Sequence, residues 1–119
     1  MFVKRFKKKN IVDGYFQSSY EGIEGAYVKI TGGNIDITSS DDGINAASDD
    51  TSISEYIVIN GGYIVVNASG DGLDSNGSIL ITDGTVIVYG PTNGGDAGMD
   101  ADSGIIIQGG YVFVSSSLG

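Results

Sequence analysis

The sequence predicts an all-β fold in which short strands stack as the coils of a right-handed parallel β-helix. Glycine accounts for 20 of the 119 residues and proline for one, and β-branched residues fill the short runs between glycines, a pattern typical of strands joined by tight turns. A motif of glycine, an apolar residue and a side-chain oxygen recurs at Gly22, Gly43, Gly72 and Gly98. Repeats of about 21 to 22 residues, lengthened by insertions in two coils, indicate a solenoid of about four coils.

Each repeat is predicted to contribute three short strands. The motif forms the first strand, an apolar run forms the second, and a glycine-containing turn (ITGG, INGG, ITDG or IQGG) leads into the third. Leucine-rich repeats are the alternative solenoid, but their helical arm and leucine spacing are absent. Alternation along the first and third strands predicts these core-facing residues: Ile23, Ile44, Leu73, Met99, Ile35, Ile37, Ile64, Val66, Val86, Val88, Val112 and Val114.

The chain is predicted to divide into a basic segment with a partial coil or cap, residues 1–19, and a β-helical domain, residues 20–119. Residues 1–9 contain five of the six basic residues, and lysines are known to protect an exposed strand edge. Residues 112–119 form a strand without a cap, so we expect the domain to be a fragment of a longer solenoid.

The charge of the chain limits its partners. The formal net charge is −9, but the residues after Asn10 hold all fifteen acids against one base, Lys29, which leaves −14. Such a surface repels nucleic acid and anionic membranes and favours cations or neutral partners. No apolar run reaches the length of a membrane span. We therefore expect neither a nucleic-acid partner nor membrane insertion.

The chain contains no cysteine and no histidine. A disulfide scaffold, a thiolate metal site and the commonest general base are therefore excluded. Oxygen ligands remain, and these suit hard cations.

Two files of side-chain oxygens are expected where the motifs stack. One file holds Glu24, Asn45, Asp74 and Asp100, and the other holds Glu21, Asp42, Asp71 and Asp96, with Asp41 beside it. Like charges at the inter-strand distance destabilise a sheet, and calcium offsets this because it takes six to eight oxygens in flexible geometry. Magnesium demands stricter geometry. The alternative is a solvated turn ladder in which the acids bind only local backbone amides.

The outward face of the third strand carries candidate sugar-binding residues. Aromatic rings there can stack on sugars, and neighbouring polar groups can bind hydroxyls. The candidates are Tyr63, Asn67, Thr85, Tyr89 and Tyr111. Because Val58, Leu80 and Ile106 also point outward, the alternative is a protein contact, with a homo-oligomer formed through this apolar face or through the open ends.

The sequence resembles bacterial, calcium-binding parallel β-helix carbohydrate-binding domains that attach to plant cell-wall polysaccharides such as cellulose and pectin. The resemblance covers the chain from about Ser18 onward and is carried by SSYEGIEG, DDGIN, GDGLDSNG and IIIQGGYVFVSSS. It implies an extracellular or bacterial cell-surface module that binds calcium on the Glu24, Asp42 and Asp71 side and holds polysaccharide without cleaving it. The basic residues 1–9 have no counterpart in this family.

Catalysis is not expected. A pectin-degrading lyase with this architecture needs a basic residue to take a proton from the uronate, and the repeats offer only Lys29. Hydrolysis needs two carboxylates placed across a cleft, and the paired acids here have no neighbouring arginine or histidine. The remaining alternative to a binding module is a structural or adhesin solenoid that calcium stiffens.

Overall fold

A computed structural model describes residues 9–12, 15–19, 22–91 and 95–116, with side chains described from residue 22 onward. In these ranges the chain forms twelve β-strands and no helix, which confirms the all-β prediction. No described segment is a helix long and apolar enough to cross a membrane. The strands are β1 (Lys9–Val12), β2 (Tyr15–Ser19), β3 (Ile23–Gly25), β4 (Tyr27–Ile30), β5 (Asn34–Ser39), β6 (Ile44–Ala46), β7 (Tyr56–Ala68), β8 (Leu73–Ser75), β9 (Ser78–Tyr89), β10 (Met99–Ala101), β11 (Gly104–Ile107) and β12 (Tyr111–Ser115).

The strands form two parallel sheets that wind together as a β-solenoid of about three turns. The short motif strands stack in the order β3, β6, β8, β10, which we call the corner sheet. In the larger sheet, β1, β4, β7, β9 and β11 are successive neighbours in one half, and β2, β5, β7, β9 and β12 in the other. The corner sheet has four strands, one for each rung, and about three turns connect the four rungs. This agrees with the predicted number of about four coils. The right-handed sense stays a prediction.

The second and third strands of a coil are less separate than predicted. In the two middle coils they join into β7 and β9, of 13 and 12 residues. The pairing between these two strands continues through the turn with register shifts around Asn60. The last glycine of each turn has a positive φ, 94° at Gly62 and 96° at Gly84. A residue with a side chain would be strained in this backbone conformation. This explains why the second glycine signal recurs.

The motif glycines are required by close packing inside the coil. A Cβ atom at Gly43 would overlap Val66 Cγ1 and the carbonyl oxygen of Gly72 in the next coil. The equivalent clashes at the other motif glycines involve Ile37, Val88 and Val114. Only glycine lets the corner sheet approach the third strand this closely.

The core lies between the corner sheet and the larger sheet, as alternation predicts. Nine of the twelve predicted core residues are buried in the first three coils, and Met99 and Val112 of the last coil pack against this core. In the last coil Met99 and Val112 are only partly buried, and Val114 is 40% exposed. Val114 faces the corner sheet as predicted, since its Cγ1 lies against Gly98. It stays exposed because β12 pairs only with β9, so no described strand covers its other side.

Candidate metal and carbohydrate sites

The first predicted file of oxygens is confirmed by the strand register. Glu24 pairs with Asn45, Asn45 with Asp74, and Asp74 with Asp100 along the corner sheet. The Nδ2 atom of Asn45 donates a hydrogen bond to Glu24 Oε2 at 3.5 Å. The amide thus lies between the carboxylates of Glu24 and Asp74 on the two flanking strands, at a position where a third carboxylate would be repelled by both.

The second file is shorter than predicted. Gly43 N donates to the carbonyl oxygen of Asp71 at 2.9 Å, which places Asp42 and Asp71 in the same position of successive coils. Gly72 N donates to the carbonyl oxygen of Ala97 at 3.1 Å, so Ala97 and not Asp96 comes next. The prediction for Asp96 is wrong because it precedes the motif glycine by two residues, as Asp41 does. Glu21, the predicted first member, lies outside the described residues.

The second file also ties successive coils together through its carboxylates. Asp42 Oδ1 accepts a hydrogen bond from the backbone N–H of Asp71 at 2.9 Å. In the next coil Asp71 Oδ1 accepts one from the backbone N–H of Ala97 at 2.6 Å. These bonds to backbone amides partly fit the turn-ladder alternative, but they cross between coils instead of closing local turns.

Three aspartates from the two files converge on one point. One carboxylate oxygen each from Asp42, Asp71 and Asp74 lie within 4.8 Å of one another. Asp71 is 8% exposed, and Asp42 and Asp74 are half-buried. We call these residues the aspartate cluster. Its donors are all carboxylate oxygens, the ligand type that hard divalent cations take, so the cluster could hold a metal ion.

The protonation of the aspartate cluster reflects its burial. Burial, and then the charges of Asp41, Asp74 and Asp71, raise the pKa of Asp42 to about 7, against the lowering effect of the hydrogen bond from Asp71 N. Burial, and then the charge of Asp71, raises the pKa of Asp74 to about 6. The pKa of Asp71 is also raised, mainly by burial and then by Asp100 and Asp96. A bound cation would favour the charged forms and reverse these shifts.

The space beside the cluster is kept open by another glycine. A Cβ atom at Gly70 would lie 2.6 Å from Asp41 Oδ1 and 2.7 Å from Asp42 Oδ1. Any side chain here would therefore displace both carboxylates. Among the predicted metal ligands, Asp41, Asp96 and Asp100 lie close enough to raise the pKa values of the cluster. Glu24 and Asn45 are not members of the cluster.

The predicted carbohydrate-binding residues lie in two columns on the outer face of the larger sheet. Tyr63, Thr85 and Tyr111 pair in register in one column, and Asn67 pairs with Tyr89 in the other. Tyr63 is 49%, Tyr89 48% and Tyr111 62% exposed. The structure thus presents these three rings on one face, as predicted.

A further aromatic residue on this face was not predicted as a site residue. Phe113 lies between the two columns, is 46% exposed and pairs with Ile87 of β9. Its spacing of two residues from Tyr111 is the sequence signal that places it on the same face. Another pair, Tyr27 and Tyr56, stacks on the preceding half of the sheet, with ring centroids 5.0 Å apart, so these rings already contact each other.

Comparison with known proteins identifies the family. The sequence model of the family described as carbohydrate-binding domain-containing protein matches residues 11–118, nearly the whole chain. Searches of the curated proteins and of the solved structures gave no match. Because this match covers well over half of the chain, the chain belongs to the carbohydrate-binding domain-containing protein family.

Proposed function

We propose that the chain binds plant cell-wall polysaccharide, polygalacturonate (pectin) or cellulose, in a calcium-dependent and non-catalytic manner. Carbohydrate binding follows from the family to which the chain belongs. The observation that supports a metal requirement is the convergence of Asp42, Asp71 and Asp74 within 4.8 Å. Three carboxylates at this distance repel one another unless protons or a cation intervene.

Calcium suits this site better than magnesium. It accepts carboxylates, backbone carbonyls and water in flexible geometry, whereas magnesium needs a near-ideal octahedron. Asp42 and Asp71 each use Oδ1 for a hydrogen bond to a backbone amide, so their positions are set by the coils. A cation that tolerates irregular geometry fits ligands whose positions are already determined.

The raised pKa values of Asp42 and Asp74 do not by themselves favour an enzyme. A carboxyl with a pKa near neutrality is a candidate general acid. Here the shifts come from burial and from other carboxylates, as expected where several carboxylates share one buried site. A pectin-degrading lyase would also need a base beside the ion, and Lys29 is the only basic residue after residue 9.

A structural or adhesin solenoid that calcium stiffens is the second candidate. The observation in its favour is the pair of carboxylate bonds between coils, because an ion on Asp42 and Asp71 would hold adjacent coils together. In both candidates we propose that the domain works outside the cell or on a bacterial surface, where weak calcium sites are occupied.

Retention on insoluble polysaccharide tests the proposal. The purified chain is applied to polygalacturonate and to cellulose, each with calcium and with excess EDTA, while circular dichroism confirms that the chelated chain stays folded. We expect retention that requires calcium. Absence of retention on both polymers would refute polysaccharide binding, and a rise of melting temperature with calcium in that case would favour the stiffened solenoid.

A further inference from the structure

We propose that the outer face of β7, β9 and β12 binds a neutral, extended β-1,4-linked glycan whose chain runs along the solenoid axis, across the strands. This inference rests on the proposed function and names the glycan class for one face. We call this surface the aromatic face, and it consists of Tyr63, Thr85, Ile87, Tyr89, Tyr111 and Phe113.

The first argument is the absence of charge. The outward residues from Tyr63 in β7, from Thr85 in β9 and along β12 contain no acid and no base. Two acids border this face: Asp36, in register on β5, and the exposed Asp83, which lies in β9 two residues before Thr85. A uronate brings one carboxylate per ring and needs a cation to bind it. This face offers none, whereas the apolar side of a neutral sugar ring packs well on tyrosine and phenylalanine.

The second argument is spacing along the axis. Tyr63 pairs with Thr85, and Thr85 pairs with Tyr111, so the two tyrosines are two rungs apart, roughly 10 Å at the usual distance between strands. In an extended β-1,4-linked chain the rings alternate in orientation, and a disaccharide is close to this length. Every second ring would then stack on a tyrosine, and the ring between would lie over the hydroxyl of Thr85.

The third argument is the shape of the face beside this column. Phe113 and Ile87 are adjacent in register and form an apolar strip next to the tyrosines. Tyr89 stands on the far side of that strip and pairs with Asn67. A chain that ran along one strand instead would meet only one of Tyr63 and Tyr111. The direction across the strands is therefore the one that uses both rings.

Isothermal titration with soluble oligosaccharides, in the presence of calcium, tests this inference. The probes are cellobiose, cellohexaose and an oligogalacturonate of six rings. The variants are Tyr63→Ala, Tyr111→Ala and the double variant, with Tyr63→Phe to keep the ring and Ile106→Ala as a control. Ile106 is 56% exposed and lies on the other half of the sheet.

We expect cellohexaose to bind more tightly than cellobiose, and each tyrosine-to-alanine change to weaken cellohexaose binding about tenfold, the effect of losing one aromatic contact. Tyr63→Phe and Ile106→Ala should bind as the parent does, and oligogalacturonate binding should be the same in all variants. Unchanged cellohexaose binding in the double variant would overturn the inference. So would self-association of the parent that the double variant abolishes, since a second copy would then cover the face.

The outcome is separable from the proposed function. If the chain is retained on polygalacturonate with calcium but does not bind cellohexaose, the aromatic face is not a neutral-glycan site and the proposed function stands. If the chain binds neither polymer nor oligosaccharide, both proposals are wrong.

Discussion

The carboxylate of Asp42 holds the backbone of the next coil, because its Oδ1 atom accepts a hydrogen bond from the N–H of Asp71 at 2.9 Å. Asp71 repeats this contact one coil further on, with Ala97 N. Each acid therefore stabilises the stacking of the coils through Oδ1 and is also a member of the aspartate cluster. The metal site and the stacking of the coils are thus parts of the same structure, so changes in the site should appear in stability as well as in binding.

Calcium should stabilise the folded chain through the aspartate cluster. A ligand that binds only the folded state at about one hundred times its Kd contributes about 2.7 kcal/mol to the free energy of unfolding. We expect the melting temperature of the parent to rise with calcium and that of the Asp42→Ala, Asp71→Ala double variant to stay constant. Asp49→Ala removes a charge from an exposed loop residue and should keep the parent's response. A double variant that still responds would show that other residues bind the ion.

The calcium-free chain should lose stability as the pH rises. The pKa of Asp42 is raised to about 7 and that of Asp74 to about 6, above the unfolded value of about 3.9, so the folded state binds more protons between these values. The free energy of unfolding should therefore fall as pH increases from about 4 to about 7. Thermal melts in EDTA across this range measure the effect.

The matched variant for this pH dependence is Asp42→Asn, which cannot titrate. We expect it to have a weaker dependence on pH than the parent and a higher melting temperature in EDTA at pH 7, because it removes one charge from the cluster. With calcium the order should reverse. An unaltered pH dependence in this variant would show that Asp42 does not have the raised pKa.

Replacement of a motif glycine should destabilise the fold by crowding. In Gly43→Ala the new methyl group would overlap Val66 Cγ1 and the Gly72 carbonyl, and overpacking of this kind costs about 1–3 kcal/mol. Val66→Ala removes one of the two obstacles. We expect the double variant to lose less stability than the two single changes predict together, as measured by denaturant unfolding. Strict additivity would contradict the proposed contact.

An isoleucine-to-alanine substitution should lower the free energy of unfolding by very different amounts in neighbouring coils. Ile81 and Ile107 pair in register and point to the same side, but Ile81 is fully buried and Ile107 is 51% exposed. Ile81→Ala should cost about 2–5 kcal/mol. Ile107→Ala should lower the free energy of unfolding by well under half of that amount, because the Ile107 side chain buries less apolar surface on folding. Equal losses in urea unfolding would mean that the last coil is covered in solution.

Much of the fold could be predicted because the repeat restricts it strongly. Gly43 and Val66 show why: the glycine is the only residue that fits where the corner meets the third strand, so its recurrence marks the register of every coil. Alternation then assigned the two faces of each strand. Val114 departs from the pattern because sequence alternation reports which way a side chain points, not whether another strand covers it.

The amino-acid pattern alone predicts the all-β class, the coil repeat, the file from Glu24 to Asp100 and the face that carries Tyr63 and Tyr111. Each of these follows from a period along the chain, and a period is visible without coordinates. The three-dimensional arrangement was needed to show that Asp74 of the first file meets Asp42 and Asp71 of the second, and that burial raises their pKa values. Convergence and desolvation depend on the bend of the coil and on the packing around it, and neither is encoded as a spacing.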